Sequence, residues 1–134
     1  MISGLNHITF GVTDLDKSRF FYRDILGFDE VKVWDSGAYL EAGNLWLCLT
    51  LDQKAAGNLD YTHTAFDVSE TEFIVLVKQI VQSGAVIWKE NSSEGQSLYF
   101  CDPDGHRLEL HVGSLASRLG SMRGLTGESS GCAI

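Results

Sequence analysis

Hydrophobic and polar positions along the chain follow two alternating rhythms, and the rhythms occur twice. Asn6-His7-Ile8-Thr9-Phe10-Gly11-Val12 alternates with period two, and Thr62-His63-Thr64-Ala65-Phe66-Asp67-Val68 repeats the pattern 56 positions later. Period-two alternation predicts strands. His7 and Thr9 then share one strand face, and Tyr61, His63 and Ala65 share the corresponding face of the second.

A helical rhythm follows each strand. Phe73, Leu76, Val77, Ile80 and Val81 recur at helical spacing, as Phe21, Ile25 and Leu26 do over about 14–26. Thr13-x-x-Asp16 and Ser69-x-x-Glu72 have the spacing of capping boxes, the first loosely because Asp replaces Glu. Gly27 and Gly84 stand where helices end on a glycine. Three short apolar runs complete each half: Phe28–Trp34, Gly37–Leu40 and Leu45–Leu51, then Val86–Lys89, Ser97–Cys101 and Arg107–Val112. Turn residues separate them, among them Asp102-Pro103-Asp104-Gly105.

The order in each half is therefore βαβββ, in modules of about 1–55 and 56–113, and the class is α+β. A short helical stretch holding Arg118 follows, so the domain is expected to span 1–118. The Gly/Ser-rich residues 119–134 read as a mobile tail. One helix covers one face of a four-stranded sheet. The other face needs a second module or a partner, and two curved sheets facing each other enclose a cleft.

Composition narrows the chemistry. The 134 residues carry a formal net charge of -8, which excludes a basic stripe for nucleic acid. No apolar run approaches a membrane span, and the N-terminus lacks a basic leader. Three cysteines (Cys48, Cys101 and Cys132) without CxxC spacing argue against a disulfide framework or a cysteine zinc site, and suggest the cytoplasm.

The candidate metal ligands are His7, His63 and Glu109. The histidines are equivalent in the repeat, and Glu109 lies between leucines, where a buried carboxylate needs a positive partner. Cys48 falls near the equivalent of Glu109 in the first half. A single histidine is more often structural than a ligand; the paired placement plus an acid is what raises the triplet. His106 reads as a surface turn residue, and His111 as a rival ligand by parity with Glu109. Two His and one carboxylate suit a non-haem iron triad or a Lewis-acidic Mn²⁺ or Zn²⁺. A second cluster is Lys89 to Ser97 with Tyr99 and Arg118. It is either a solvated hairpin loop or a site for an oxyanion or a hard cation. Thr9 shares a face with His7, and Tyr39 and Trp46 line the cleft or belong to the core.

Four segments carry a resemblance: LNHITFGVTDL, WDSGAYLEAGNLWLCL, DYTHTAF and WKENSSEGQSLYFCDPDGHRLELHVGSL. Together they resemble the fosfomycin-resistance glutathione transferases (the FosA type) of the vicinal oxygen chelate superfamily. The resemblance implies a Mn²⁺- and K⁺-dependent enzyme adding glutathione to the epoxide of fosfomycin. Zn²⁺ or another divalent ion is an alternative occupant. It implies His7, His63 and Glu109 as metal ligands and Thr9 on the epoxide oxygen. Lys89, Ser93, Tyr99 and Arg118 would hold the phosphonate, with Trp46 against the apolar part of the substrate and Tyr39 near the attacking thiol. Asn91, Ser93, Glu94, Gly95 and Ser97 would form a potassium loop. It further implies a homodimer with exchanged halves, each site taking His7 from one chain and His63 and Glu109 from the other.

The chain departs from close members at Thr64, Ser92 and the tail, where those have an aromatic residue, a basic residue and a tyrosine. These positions bear on the thiol donor. The alternatives are a related epoxide hydrolase, a transferase of another thiol, a non-catalytic drug-binding module and an Fe(II) dioxygenase. The hydrolase needs a carboxylate base near the Tyr39 strand. There Gly37 and Ala38 precede the tyrosine, with Asp35 in a turn and Glu41 beyond.

Overall fold

The computed structural model describes residues 1–123; Cys132 and the Gly/Ser run of 124–134 lie outside the described residues. Two four-stranded sheets form, one per half, as the repeat predicts. In the first, β1 (Ile8–Val12), β2 (Asp29–Trp34), β3 (Gly37–Ala42) and β4 (Leu45–Leu51) adopt the order β1-β4-β3-β2. In the second, β5 (Thr64–Asp67), β6 (Ile87–Lys89), β7 (Gln96–Cys101) and β8 (Arg107–Val112) adopt the order β5-β8-β7-β6. The first strand of each half runs parallel to the last, and the remaining pairs are antiparallel.

The helices explain themselves locally. In α2 (Glu70–Gln82), the Ser69 side chain accepts from Glu72 N, as its capping spacing predicts. Phe73 and Leu76 pack on the core and Ile80 is fully buried, whereas Val81 is exposed. In α1 (Leu15–Phe20), the cap is Asp14, which accepts from Lys17 N. Thr13 is not the cap, because its backbone N–H and hydroxyl both donate to Asp104 in the other half. The first helix widens into a π-helical turn over Phe21–Ile25, closed by Leu26 N on Phe21 O at 3.0 Å. Gly27 and Gly84 follow the helices with φ of 86° and 81°, the left-handed conformation that glycine adopts freely. A third helix, α3 (Leu115–Arg123), carries Arg118 and runs past residue 118, where the tail was expected to begin.

The core lies between the halves. Phe10, Val12, Leu47 and Leu49 of the first sheet join Phe21, Tyr22 and Phe28, and meet Phe66, Ile80, Phe100, Leu108 and Leu110 of the second half. Phe28 meets Phe66 edge-on at 5.5 Å between ring centroids. The turn between β7 and β8 fastens the halves. Tyr22 Oη donates to the buried Asp102 at 2.7 Å, and Asp102 also accepts from the backbone of Asp104 and His106. Burial raises the Asp102 carboxyl, and burial beside Asp102 raises the Tyr22 hydroxyl further. His106, expected at the surface, is half-buried: it stacks on Phe10, and its Nε2 lies 2.7 Å from Gly11 O.

Because each sheet gives one face to this core, its other face is left open. The strand registers show that the two open faces are equivalent. One row reads Lys32, Tyr39, Cys48, Thr9; the other reads Lys89, Tyr99, Glu109, Ala65. Cys48 is thus the register counterpart of Glu109. Each edge strand carries an irregularity at the same place, between Glu30 and Lys32 and between Ile87 and Lys89, where a bulge turns the lysine onto the open face.

Candidate functional site

On the second open face, Glu109 is 6% exposed although it lies on the side of β8 away from the core. Its neighbours in the strand, Leu108 and Leu110, point into the core. One carboxylate oxygen accepts from Ser97 Oγ at 2.7 Å; the other lies 3.0 Å from His63 Nε2. The opposite ring nitrogen, His63 Nδ1, lies 2.8 Å from the carbonyl of Tyr61. A carbonyl only accepts, so Nδ1 carries a hydrogen and donates. In the neutral ring Nε2 then presents a lone pair to an oxygen that also only accepts. Such a pair needs a shared positive charge, a proton or a cation. Two ligands at right angles, each about 2.1 Å from a metal, are separated by about this distance. The donor set, imidazole nitrogen with carboxylate oxygen, therefore fits a divalent ion.

His7 lies before β1 on the other open face. Its Nδ1 is 2.8 Å from Asn6 Oδ1, which leaves Nε2 free, and its ring packs on Trp46 at 4.5 Å. Tyr39 meets Trp46 edge-on, and Thr9 is paired in register with Cys48. Among the described residues no three His, Cys, Asp or Glu side chains form a metal-binding group, so one chain does not bring His7 to His63 and Glu109. Cys48 is buried, a free thiol within the sheet.

The cationic residues gather around the Glu109 face. Lys89 Nζ donates to Tyr61 Oη at 2.7 Å and lies over the rings of Tyr61 and Tyr99. The Tyr61 bond raises the lysine above its usual range, so it stays charged. Trp88 packs against His63 and Tyr99 and donates to Leu108 O. Sequence parity would send Trp88 and Lys89 to opposite faces; the bulge lets both reach Tyr99. Arg118 Nε lies 3.3 Å from Glu94 Oε1. The 91–95 loop folds on itself, with Asn91 donating to Gly95 O and accepting from the backbone and hydroxyl of Ser93. Ser97 stands apart from that loop, on Glu109 and on His111 Nδ1, each at 2.7 Å. Tyr61 and Trp88 are the site residues that sequence reasoning did not single out.

The profile of the glyoxalase/bleomycin resistance protein/dioxygenase superfamily matches residues 4–110. The chain belongs to that superfamily. Within it, the chain is 50% identical over 127 residues to the glutathione transferase FosA of Serratia marcescens, covering 92% of this chain and 90% of that protein. It is 37% identical to the metallothiol transferase FosB of Shouchella clausii, covering 89% of this chain and 86% of that protein. Among solved structures, it is similar to the fosfomycin resistance protein FosX of Listeria monocytogenes complexed with Mn(II) and sulfate. The TM-score is 0.79 at 32% identity, covering 91% of this chain and 99% of that one. The superfamily fold is thus the paired βαβββ arrangement that the repeat predicts. No helix among the described residues is long and apolar enough to cross a membrane.

Proposed function

We propose that this chain is a metal-dependent thiol transferase that opens the epoxide of fosfomycin with glutathione and so confers resistance to the antibiotic. One observation carries the reading. The His63–Glu109 pair, which needs a shared positive charge and whose spacing suits a divalent ion, lies on the same sheet face as Lys89 and Tyr99, in a chain 50% identical to a glutathione transferase. His63, Glu109 and the His7 of a second copy would hold a divalent ion, Mn²⁺ or a substitute such as Zn²⁺, which would supply Lewis-acid polarisation of the epoxide oxygen.

The chain's own residues do the rest. Lys89, Ser93, Tyr99 and Arg118 bind the phosphonate by charge-assisted hydrogen bonds, which fixes the small substrate in one orientation. The Thr9 hydroxyl donates to the epoxide oxygen as the ring opens, and Trp46 packs on the apolar part of the substrate. Tyr39 lies beside the incoming thiol and orients it. The thiol loses its proton to water, the thiolate attacks a ring carbon, a C–S bond forms as the C–O bond breaks, and the alkoxide takes up a proton from water. Asn91, Ser93, Glu94 and Gly95, with Ser97 through its main-chain oxygen because its hydroxyl serves Glu109, would supply oxygens for K⁺, which would offset phosphonate charge in a protein of net charge -8. The functional unit is a homodimer with exchanged halves. The domain extends beyond 118 to the end of α3 at Arg123, and its place is the cytoplasm, where glutathione is reduced.

³¹P NMR of the full chain with fosfomycin, Mn²⁺ and K⁺ tests the reading. A new phosphonate signal that requires glutathione is the expected result. Turnover without thiol would replace it with an epoxide hydrolase; turnover only with another thiol would change the donor. An unchanged spectrum in every tube would overturn it.

A further inference from the structure

Building on Glu109 as a metal ligand, we propose that His111 is a positioning residue. Its ring locks the Ser97 hydroxyl onto one oxygen of Glu109 and thereby turns the other oxygen toward His63. His111 follows Glu109 by two residues on β8, on the same face, and is the register partner of Ser97 on β7. Its Nδ1 is 2.7 Å from Ser97 Oγ, which donates to Glu109 Oε2 at 2.7 Å. A hydroxyl has one proton, and an ionised carboxylate only accepts. The Ser97 proton therefore goes to Glu109, and His111 Nδ1 must carry a hydrogen and donate to Ser97. With that nitrogen committed, His111 is not a rival ligand through Nδ1. It fixes the rotor of a hydroxyl that would otherwise be free to turn.

The chain is built around this ring. A Cβ on Gly95 would lie 3.2 Å from His111 Cε1 and 2.5 Å from Val112 O, and a Cβ on Gly113 would lie 2.7 Å from His111 Nε2. Both glycines leave space that the imidazole fills. Its Nε2 then lies 3.5 Å from Glu94 Oε1, the oxygen that also lies 3.3 Å from Arg118 Nε. His111 thus connects the carboxylate of the cation pair, through Ser97, with the carboxylate that orients the phosphonate-binding arginine. A partner one hydrogen bond removed from a ligand, as Ser97 is from Glu109, typically changes metal affinity by about 10–100-fold when lost, and His111 acts one bond further out.

The test is Mn(II) titration of the purified full chain, followed by the EPR signal of free Mn(II), in the parent and three variants. His111→Ala is expected to weaken Mn(II) binding by ~10-fold, the lower end of that range, because it acts through Ser97. His111→Asn places an amide N–H where Nδ1–H stands and is expected to restore most of the affinity. His111→Gln extends toward Glu94 instead and is expected not to. Should His111→Ala fail to fold, the Asn and Gln variants carry the same contrast between them. Parental affinity in His111→Ala, Asn as weak as Ala, or equal rescue by Asn and Gln would each overturn the proposal. A parent chain that binds no Mn(II) would instead remove the metal-ligand reading of Glu109 on which it rests.

Discussion

Replacing Glu109 by Gln keeps the shape of the side chain and removes the charge that faces His63 Nε2 across 3.0 Å. A direct ligand should matter more than its outer partners, so Glu109→Gln is expected to lower Mn(II) affinity by more than ~100-fold in the same EPR titration. Tyr61 acts differently. It binds Lys89 through its hydroxyl and His63 through its carbonyl. Tyr61→Phe removes only the first, so steady-state kinetics should show the KM for fosfomycin rising roughly fivefold, about 1 kcal/mol, with kcat nearly unchanged. Repeat position made His63 legible as the equivalent of His7, and the leucines around Glu109 made that acid legible beside it. The part played by Tyr61 was not legible, because the sequence places Lys89 28 positions away and nothing local brings them together.

At the scale of elements, the helices and strands follow from local pattern, and the exceptions have identifiable competitors. Thr13 has the spacing of a cap, yet Asp104 takes both its donors and the helix starts on Asp14. The edge of the first sheet is tied to α1 by charge. Arg19 and, through the π-helical turn, Arg23 both donate to Glu30, which lowers the Glu30 carboxyl, with Arg19 the larger cause. A carboxyl held below its unfolded value stabilises the fold at pH above that unfolded value. The contribution is lost as pH falls through the depressed folded value. Urea denaturation should therefore show Arg19→Met costing about 1 kcal/mol at pH 7 and close to nothing near pH 2.

At the scale of the whole molecule, the open faces of the two sheets carry different candidate site residues, His7 and Thr9 on the first, His63 and Glu109 on the second. In the proposed dimer with exchanged halves they would come together. His7→Ala and Glu109→Gln should each be inactive as pure proteins. Refolded as an equimolar mixture they should regain about one quarter of parental activity, because half the dimers are mixed and each mixed dimer has one intact site. A site built from a single chain would give no recovery, and the activity of the mixture distinguishes the two arrangements. The sequence by itself determined the βαβββ repeat, the α+β class, His63 and Glu109 as candidates for one site and the helix ends at Gly27 and Gly84. All of these rest on periodicity and on residues a few positions apart. The tertiary structure alone decided which strands pair in which register, that Cys48 itself, which the sequence places only near that position, is the counterpart of Glu109, and that bulges turn Lys32 and Lys89 onto the open faces. It also decided that His106 clasps the two halves and that Ser97 serves Glu109 rather than its own loop. Those outcomes depend on contacts between segments far apart in the chain, and a period of two or of 3.6 residues carries no information about which distant segment will fill the other side of a hydrogen bond.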